Sequence, residues 1–140
     1  MSNNDLDLEK TQFKNDKDLE SYLLSLVLNF TSEVVDLEKK YFEKNNFQEF
    51  KEKYILLYNK YCTEKRKLKG SKINSIFSPS RFTGIANAFS EIKLIKKKCI
   101  EILFKIKKDP EFGFIFILKE ENNLWRIDGF RYLGWIDGKL

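Results

Sequence analysis

Three stretches near the end of the chain decide its fold: KCIEILFKIK (residues 98–107), FGFIFIL (112–118) and LWRIDGFRY (124–132). The first alternates apolar with charged side chains, which is the period of a half-buried β-strand. The second is apolar on both faces, so we expect a central strand that is covered on both sides. The third alternates again, and its Gly129 indicates a bulge or a bend. Together the three stretches predict an antiparallel meander.

Turn-forming residues separate the three predicted strands. Residues 109–112 (Asp-Pro-Glu-Phe) supply the first turn and residues 120–123 (Glu-Glu-Asn-Asn) supply the second. Upstream of the strands, residues 71–90 are irregular, because Pro79 stops any regular element. We expect only a short helical turn there, near residues 85–89.

The chain before residue 71 is helical in pattern, because apolar residues recur at spacings of three and four. We expect one helix that is capped at residue 15 or 16 and reaches about Lys44. A second begins with a capping box at Asn46 and Glu49 and ends near Gly70. The apolar stripe of the first helix is Leu19, Tyr22, Leu23, Leu26, Phe30, Val34, Leu37 and Tyr41, and that of the second is Phe47, Phe50, Tyr54, Leu57, Tyr58 and Tyr61.

Length and composition describe one domain. The 140 residues are 42% hydrophobic and 15% aromatic, which is enough for a core without disulfides or metals. We expect a polar tail over residues 1–14 and a single domain over residues 15–140. The N-terminus lacks the apolar core of a leader, no apolar run is long enough to span a membrane, and Cys62 and Cys99 are interpreted as reduced, buried thiols. These features predict a cytoplasmic protein without a membrane partner.

The net charge of +5 is unevenly spread, with clusters of cations in residues 60–72 and 93–98. Solvated helix ends explain both clusters most simply, because cations near a helix C-terminus offset its dipole. An acidic partner is compatible with the same pattern. Binding of nucleic acid is not favoured, since Tyr58 and Tyr61 lie on an apolar stripe instead of facing solvent.

Few residue patterns in this sequence support catalysis. It contains no histidine, which excludes Ser-His-Asp and Cys-His catalysis and the commonest zinc and iron sites. The six glycines are scattered and form no phosphate-binding loop, so we expect no cofactor and no metal. Asp128 remains as a candidate general base, if burial inside the sheet raises its pKa. More simply, Asp128 is exposed on the outer face or paired with Arg126 or Arg131.

Two segments resemble the NTF2-like superfamily and, within it, the bacterial NTF2-fold immunity proteins. They are residues 76–82 (IFSPSRF) and the closing strand pair from Phe114 to Asp128, which ends in NNLWRID. The resemblance covers about residues 16–136. It implies an α+β fold in which N-terminal helices pack on a curved antiparallel sheet, the NTF2-like or cystatin-like cone.

The resemblance also implies two kinds of function. In enzymatic relatives the cone holds a small molecule beside an Asp or His that acts as acid or base, whereas this chain has no His and would fill its cone with Phe. In immunity relatives the protein binds a toxin made by the same bacterium and blocks its active site. We therefore expect a non-catalytic immunity protein whose partner is a cognate protein toxin, and a homodimer through the outer sheet face is left open.

The expected toxin contacts are Phe77, Ser80, Arg81, Arg131 and Trp135, since arginine in particular makes planar, bidentate contacts at recognition surfaces. The alternative is an NTF2-like small-molecule-binding protein, or an isomerase- or dehydratase-type enzyme that uses the cone cavity with Asp128 as base. A basic nucleic-acid-binding module is the third hypothesis.

Overall fold

The computed structural model describes residues 16–76, 82, 84, 85, 88–96, 98–107 and 109–133. Helices precede a four-stranded antiparallel sheet whose strands follow one another in the order β1-β2-β3-β4. The predicted order of helices first and meander last is confirmed, whereas the predicted tail over residues 1–14 lies outside the described residues. The elements are α1 (Asp16–Tyr41), α2 (Phe47–Tyr61), α3 (Glu64–Gly70), β1 (Phe89–Lys96), β2 (Cys99–Ile106), β3 (Asp109–Glu121) and β4 (Leu124–Leu133).

The two long helices form where the apolar stripes predict them. Helix α1 ends at Tyr41, slightly before the predicted Lys44, and Asn45 then takes a left-handed backbone with φ of 52°. Asn46 caps α2, because its side-chain oxygen accepts a hydrogen bond of 3.2 Å from the backbone N–H of Glu49. The predicted cap is therefore confirmed, and it fixes the reversal that packs α2 against α1.

The prediction that α2 continues to Gly70 is wrong, because the chain leaves the helix at Cys62. That residue is extended (φ −113°, ψ 161°) and forms an isolated parallel bridge with Ile127 of β4. The backbone N–H of Thr63 then donates to the carbonyl of Ile127 at 2.9 Å. A separate helix, α3, begins at Glu64. Pairing with a distant strand thus interrupts a segment whose local pattern is helical throughout.

Strand β1 was not predicted. The helical turn expected near residues 85–89 is present at its start, where the N–H of Ala88 donates to the carbonyl of Ile85 at 3.2 Å, but Phe89 already belongs to β1. The sequence assigned Lys93 and Lys96 to solvated helix ends. Both lysines instead belong to a strand that pairs antiparallel with β2, with Ile92 opposite Ile102. Between the two strands, Lys98 takes a positive φ of 145°. The helix-end interpretation of this cluster is therefore wrong, because Lys93, Lys96 and Lys98 lie in or beside a β-hairpin.

The remaining strands keep their predicted roles, with longer limits. Strand β3 is central, between β2 and β4, and it begins at Asp109, so the predicted turn at residues 109–112 lies inside the strand. Its connection to β4 is a two-residue turn in which Asn122 and Asn123 have φ of 56° and 66°. Positive φ at both central residues is the type I′ geometry that closes a tight hairpin.

Aromatic rings fill the space between α1 and the inner face of the sheet. Phe82 lies at their centre with 1% exposure. Its ring centroid lies 5.0 Å from that of Phe130, 5.7 Å from Phe116 and 6.0 Å from Phe30. Tilted and edge-on ring pairs of this kind contribute about 0.5–1.5 kcal/mol each beyond area burial. The expected filling of the cone with Phe is thus observed around these four rings.

Candidate functional site

A β-bulge in β4 determines where Asp128 points. In the ladder between β3 and β4, Ile117 pairs with Gly129 and Leu118 pairs with Ile127, which leaves Asp128 as the extra residue. A bulge of this kind re-aims a side chain relative to the regular alternation of the strand. The bend predicted at Gly129 is therefore confirmed, and its effect is to direct the Asp128 carboxylate towards α3.

The Asp128 carboxylate is 9% exposed and lies within a cluster of three donors. One oxygen, Oδ1, accepts a hydrogen bond of 2.8 Å from the hydroxyl of Thr63. The other, Oδ2, lies 3.3 Å from Nζ of Lys119 and 3.6 Å from Nζ of Lys65. The cluster joins α3 to β3 and β4. The predicted pairing of Asp128 with Arg126 or Arg131 is wrong, because these two lysines take that place.

The cluster keeps Asp128 ionised. Burial alone would raise the pKa of its carboxyl group, but hydrogen bonds from Thr63 and Lys119 and the charges of Lys119 and Lys65 together lower it below its ordinary value of 3.8. A general base that works near neutral pH needs a raised pKa instead. The hypothesis that assigned Asp128 this role is therefore not supported by its surroundings.

Two arginines hold the end of α2 and the start of α3 against β4. Arg126 donates from Nη1 to the carbonyl of Lys60 at 2.7 Å and to that of Asn59 at 3.3 Å, so it satisfies the last carbonyls of α2. Arg66 donates from Nε to the carbonyl of Asp128 at 3.4 Å, and its guanidinium lies 5.6 Å from the ring centre of Phe130. Both arginines thus have structural partners.

Of the predicted partner contacts, only Arg131 lies within the described residues. It is on the outer face of the sheet, where its side chain is 49% exposed, and Nη1 lies 3.8 Å from Oε2 of Glu101. Arg131 pairs with Ile115 of β3, and Ile115 pairs with Leu103 of β2, so the ion pair reaches across the central strand. The other four predicted contacts, Phe77, Ser80, Arg81 and Trp135, lie outside the described residues.

Three clefts are lined by described residues, and Asp128 contributes to none of the three. The largest, about 420 Å³, lies between α1 and α2 and includes Asp36 and Leu57. The second, about 370 Å³, lies between α1 and the segment of Phe82 and Ile85. The third, about 340 Å³, lies between the start of α1 and β1.

The described residues also contain no group of metal ligands and no exposed thiol. No three His, Cys, Asp or Glu side chains come together there as a metal-ligand group. Cys62 and Cys99 are both buried and free, and burial raises the pKa of the Cys62 thiol to about 12. Among the helices assigned in these ranges, none combines the length and apolar character needed to cross a bilayer.

A comparison with known protein families gives one match, over residues 23–140, to the family described as NTF2 fold immunity protein (Imm-NTF2). The chain belongs to the NTF2 fold immunity protein family. The match begins within α1 and spans the rest of that helix, α2, α3 and the entire sheet, so the predicted α+β, NTF2-like fold is confirmed. No curated protein and no solved structure matches this member of the NTF2 fold immunity family.

Sequence reasoning missed most of the cluster around Asp128. It singled out Asp128 and the bulge, but nothing local connected them to Thr63, which is 65 positions earlier in the chain. A signal did exist at Thr63, because Thr followed by Glu-Lys-Arg is a typical helix start. The hydroxyl of Thr63 accepts from the N–H of Arg66 at 3.4 Å, as that pattern indicates.

Proposed function

We propose that this chain is an immunity protein that binds a cognate bacterial toxin in the cytoplasm and neutralises it by occluding its active site. The observation that carries the proposal is the match of residues 23–140 to the NTF2 fold immunity family. Binding, and not turnover, is the mechanism we infer, because occlusion needs a complementary surface and no reactive group of its own.

The inner face of the sheet supports a binding role. Phe82, Phe116 and Phe130 occupy the place where a ligand cavity would lie, with ring centroids 5.0 to 5.7 Å apart. Asp128 is held as a carboxylate by Thr63 and two lysines, outside that aromatic core. These features favour occlusion over the alternative of a small-molecule enzyme, which needs both a cavity and a base with a raised pKa.

We further propose that Arg131 contacts the toxin, together with Phe77, Ser80, Arg81 and Trp135. For Arg131 the support is its half-exposed guanidinium on the outer sheet face. Its ion pair with Glu101 is long, at 3.8 Å, and the side chain of Arg131 is 49% exposed, so its guanidinium can also reach a carboxylate of the partner. Complementary charges at such a position would accelerate association.

The test is co-expression and pull-down with the product of the neighbouring upstream gene. We expect that product to be toxic alone, to be silenced by this chain and to co-purify with it in a stoichiometric complex. Arg81→Glu and Arg131→Glu are each expected to weaken the complex without unfolding the chain. Lys53→Glu is the matched charge reversal, at an exposed position on α2. A harmless neighbour that forms no complex would contradict the proposed function, whereas unchanged affinity would remove the substituted arginine from the interface.

A further inference from the structure

One of the two cation clusters of this chain lies on and just after α3. Residues 64–72 contain five cations and one acid, a net charge of +4. In the middle of this segment, Leu68 is 68% exposed. The other large hydrophobic residues that are exposed among those described are Phe42, which directly follows α1, and Leu56 on α2. Acids and lysines are mixed in the sequence around both. Leu68 therefore differs from them in its charged sequence neighbours, which are five cations and one acid, Glu64.

Leu68 and its neighbours form one surface, which we call the α3 surface: Lys65, Leu68, Lys72 and Lys119. Lys65 precedes Leu68 by three residues and Lys72 follows it by four, the spacings that share a face while the chain turns helically. That turn continues past the helix, because the N–H of Ser71 donates to the carbonyl of Lys67 at 3.0 Å. Lys119 of β3 joins the surface through Asp128, whose Oδ2 lies within 3.6 Å of both Lys65 and Lys119.

Contacts on the buried side of α3 hold the α3 surface in place, although the helix has only seven residues. A helix of that length is not stable alone in water. Here Thr63 caps its first turn and donates to Asp128, and Arg66 is bonded to the carbonyl of Asp128. A surface that is already ordered loses less conformational entropy when a partner binds. The buried Asp128 cluster thus serves as a support for the exposed residues above it.

We propose that the α3 surface docks on an acidic face of the toxin, with Leu68 entering an apolar depression that carboxylates surround. The inference rests on the proposed function and adds to it the location and the chemistry of the contact. An apolar centre inside a charged rim is the usual anatomy of a protein interface, and the excess of lysine steers an acidic partner towards it.

A protein partner fits the α3 surface better than a nucleic acid does. Single-stranded nucleic acids are bound by exposed aromatic rings that stack on bases, but Tyr58 and Tyr61, the aromatics nearest in sequence, are 3% and 2% exposed. The apolar side chain of Leu68 would make no favourable contact with a charged phosphate backbone. Lys67 is also partly neutralised, since its Nζ lies 3.0 Å from Oε2 of Glu64. The surface therefore combines moderate charge with an apolar contact, which suits a protein.

The experiment measures association and dissociation rates between this chain and the purified product of the upstream gene at two salt concentrations. Leu68→Ala is expected to raise Kd at least tenfold, mainly through faster dissociation, and Lys72→Glu to slow association at least threefold with a weaker salt dependence. Lys53→Glu, an equal charge change on α2, is expected to stay within twofold. Because Leu68 and Lys72 are exposed, all three variants should keep the melting temperature of the parent chain.

The outcomes separate the two proposals. If the parent chain binds while Leu68→Ala and Lys72→Glu both remain within twofold of it, the α3 surface is not the contact and the immunity function stands. If the parent chain does not bind the upstream product, both proposals fail. If the chain binds single-stranded RNA, and Lys72→Glu abolishes that binding while Leu68→Ala leaves it intact, the surface serves a nucleic acid and the docking proposal is overturned.

Discussion

The substitution Asp128→Asn tests the cluster that joins α3 to the sheet. Asparagine keeps the volume and an acceptor for the hydroxyl of Thr63, but it removes the charge. A hydrogen bond to a charged acceptor contributes about 1.5–3 kcal/mol and one to a neutral acceptor about 0.5–1.5 kcal/mol, so this bond should lose about 1 kcal/mol. The two half-exposed lysines contribute about 0.5 kcal/mol each. The expected cost at pH 7 is therefore about 2 kcal/mol, or about 7 °C in Tm for a domain of this size.

The direction of the pKa shift determines how the cost of Asp128→Asn changes with pH. The pKa of Asp128 is lower in the folded chain than its ordinary value of 3.8, so the carboxylate is stabilised by folding. This stabilisation is fully present above the unfolded pKa and is lost as the pH falls through the folded pKa. The difference between Asp128→Asn and the parent chain should thus be constant from pH 8 to pH 6 and should shrink below about pH 4.

Urea denaturation followed by circular dichroism, repeated from pH 8 to pH 3.5, measures this difference. Glu64→Gln is the matched control, because Glu64 also pairs with a lysine on α3 but its side chain is 79% exposed. We expect the control to change stability by less than about 0.5 kcal/mol at every pH. A cost for Asp128→Asn below about 0.5 kcal/mol at pH 7, or one that does not decline in acid, would refute the assigned role of the cluster.

Three further predictions follow from local geometry. Gly113→Ala should cost about 3 kcal/mol in urea denaturation, because its Cβ would lie 1.9 Å from the backbone oxygen of Phe104; a cost under about 1 kcal/mol would contradict that packing. Asn123→Ala should cost about 1 kcal/mol and Asn123→Gly nothing, since the residue has a φ of 66°; equal costs would argue against the type I′ turn. Ellman's reagent should react with Cys62 and Cys99 only after denaturation, as both are buried and the pKa of Cys62 is about 12; rapid labelling of the native chain would contradict this burial.

The local sequence pattern was sufficient to predict an element wherever that element's own residues determine how it packs. The stripes of α1 and α2 predicted their buried faces, and Tyr54, Tyr58 and Tyr61 are 2–3% exposed. The alternation in residues 98–107 likewise predicted β2, whose Ile102 and Phe104 are 0% and 1% exposed. In each case a period of 3.6 or 2.0 residues reports directly on the face that the core covers.

Local pattern failed where a distant contact decides the conformation. The break at Cys62 has no glycine or proline, and it exists because the backbone there bonds to Ile127. Strand β1 contains two lysines and carries no strong alternation, so its identity comes from pairing with β2. The partners of Asp128 were unpredictable for the same reason, since Thr63, Lys65 and Lys119 reach it only after the sheet and α3 have come together.

The contact between Thr63 and Ile127 also sets an order of events during synthesis. Helices α1 and α2 can pair as soon as they leave the ribosome, because their contacts are close in sequence. The start of α3 has no partner until β4 has been translated and has joined the sheet, some 65 residues later. The basic face of α3 is therefore assembled last. A chain that is interrupted before β4 would display no ordered α3, so only chains that include β4 would bind a partner through that face.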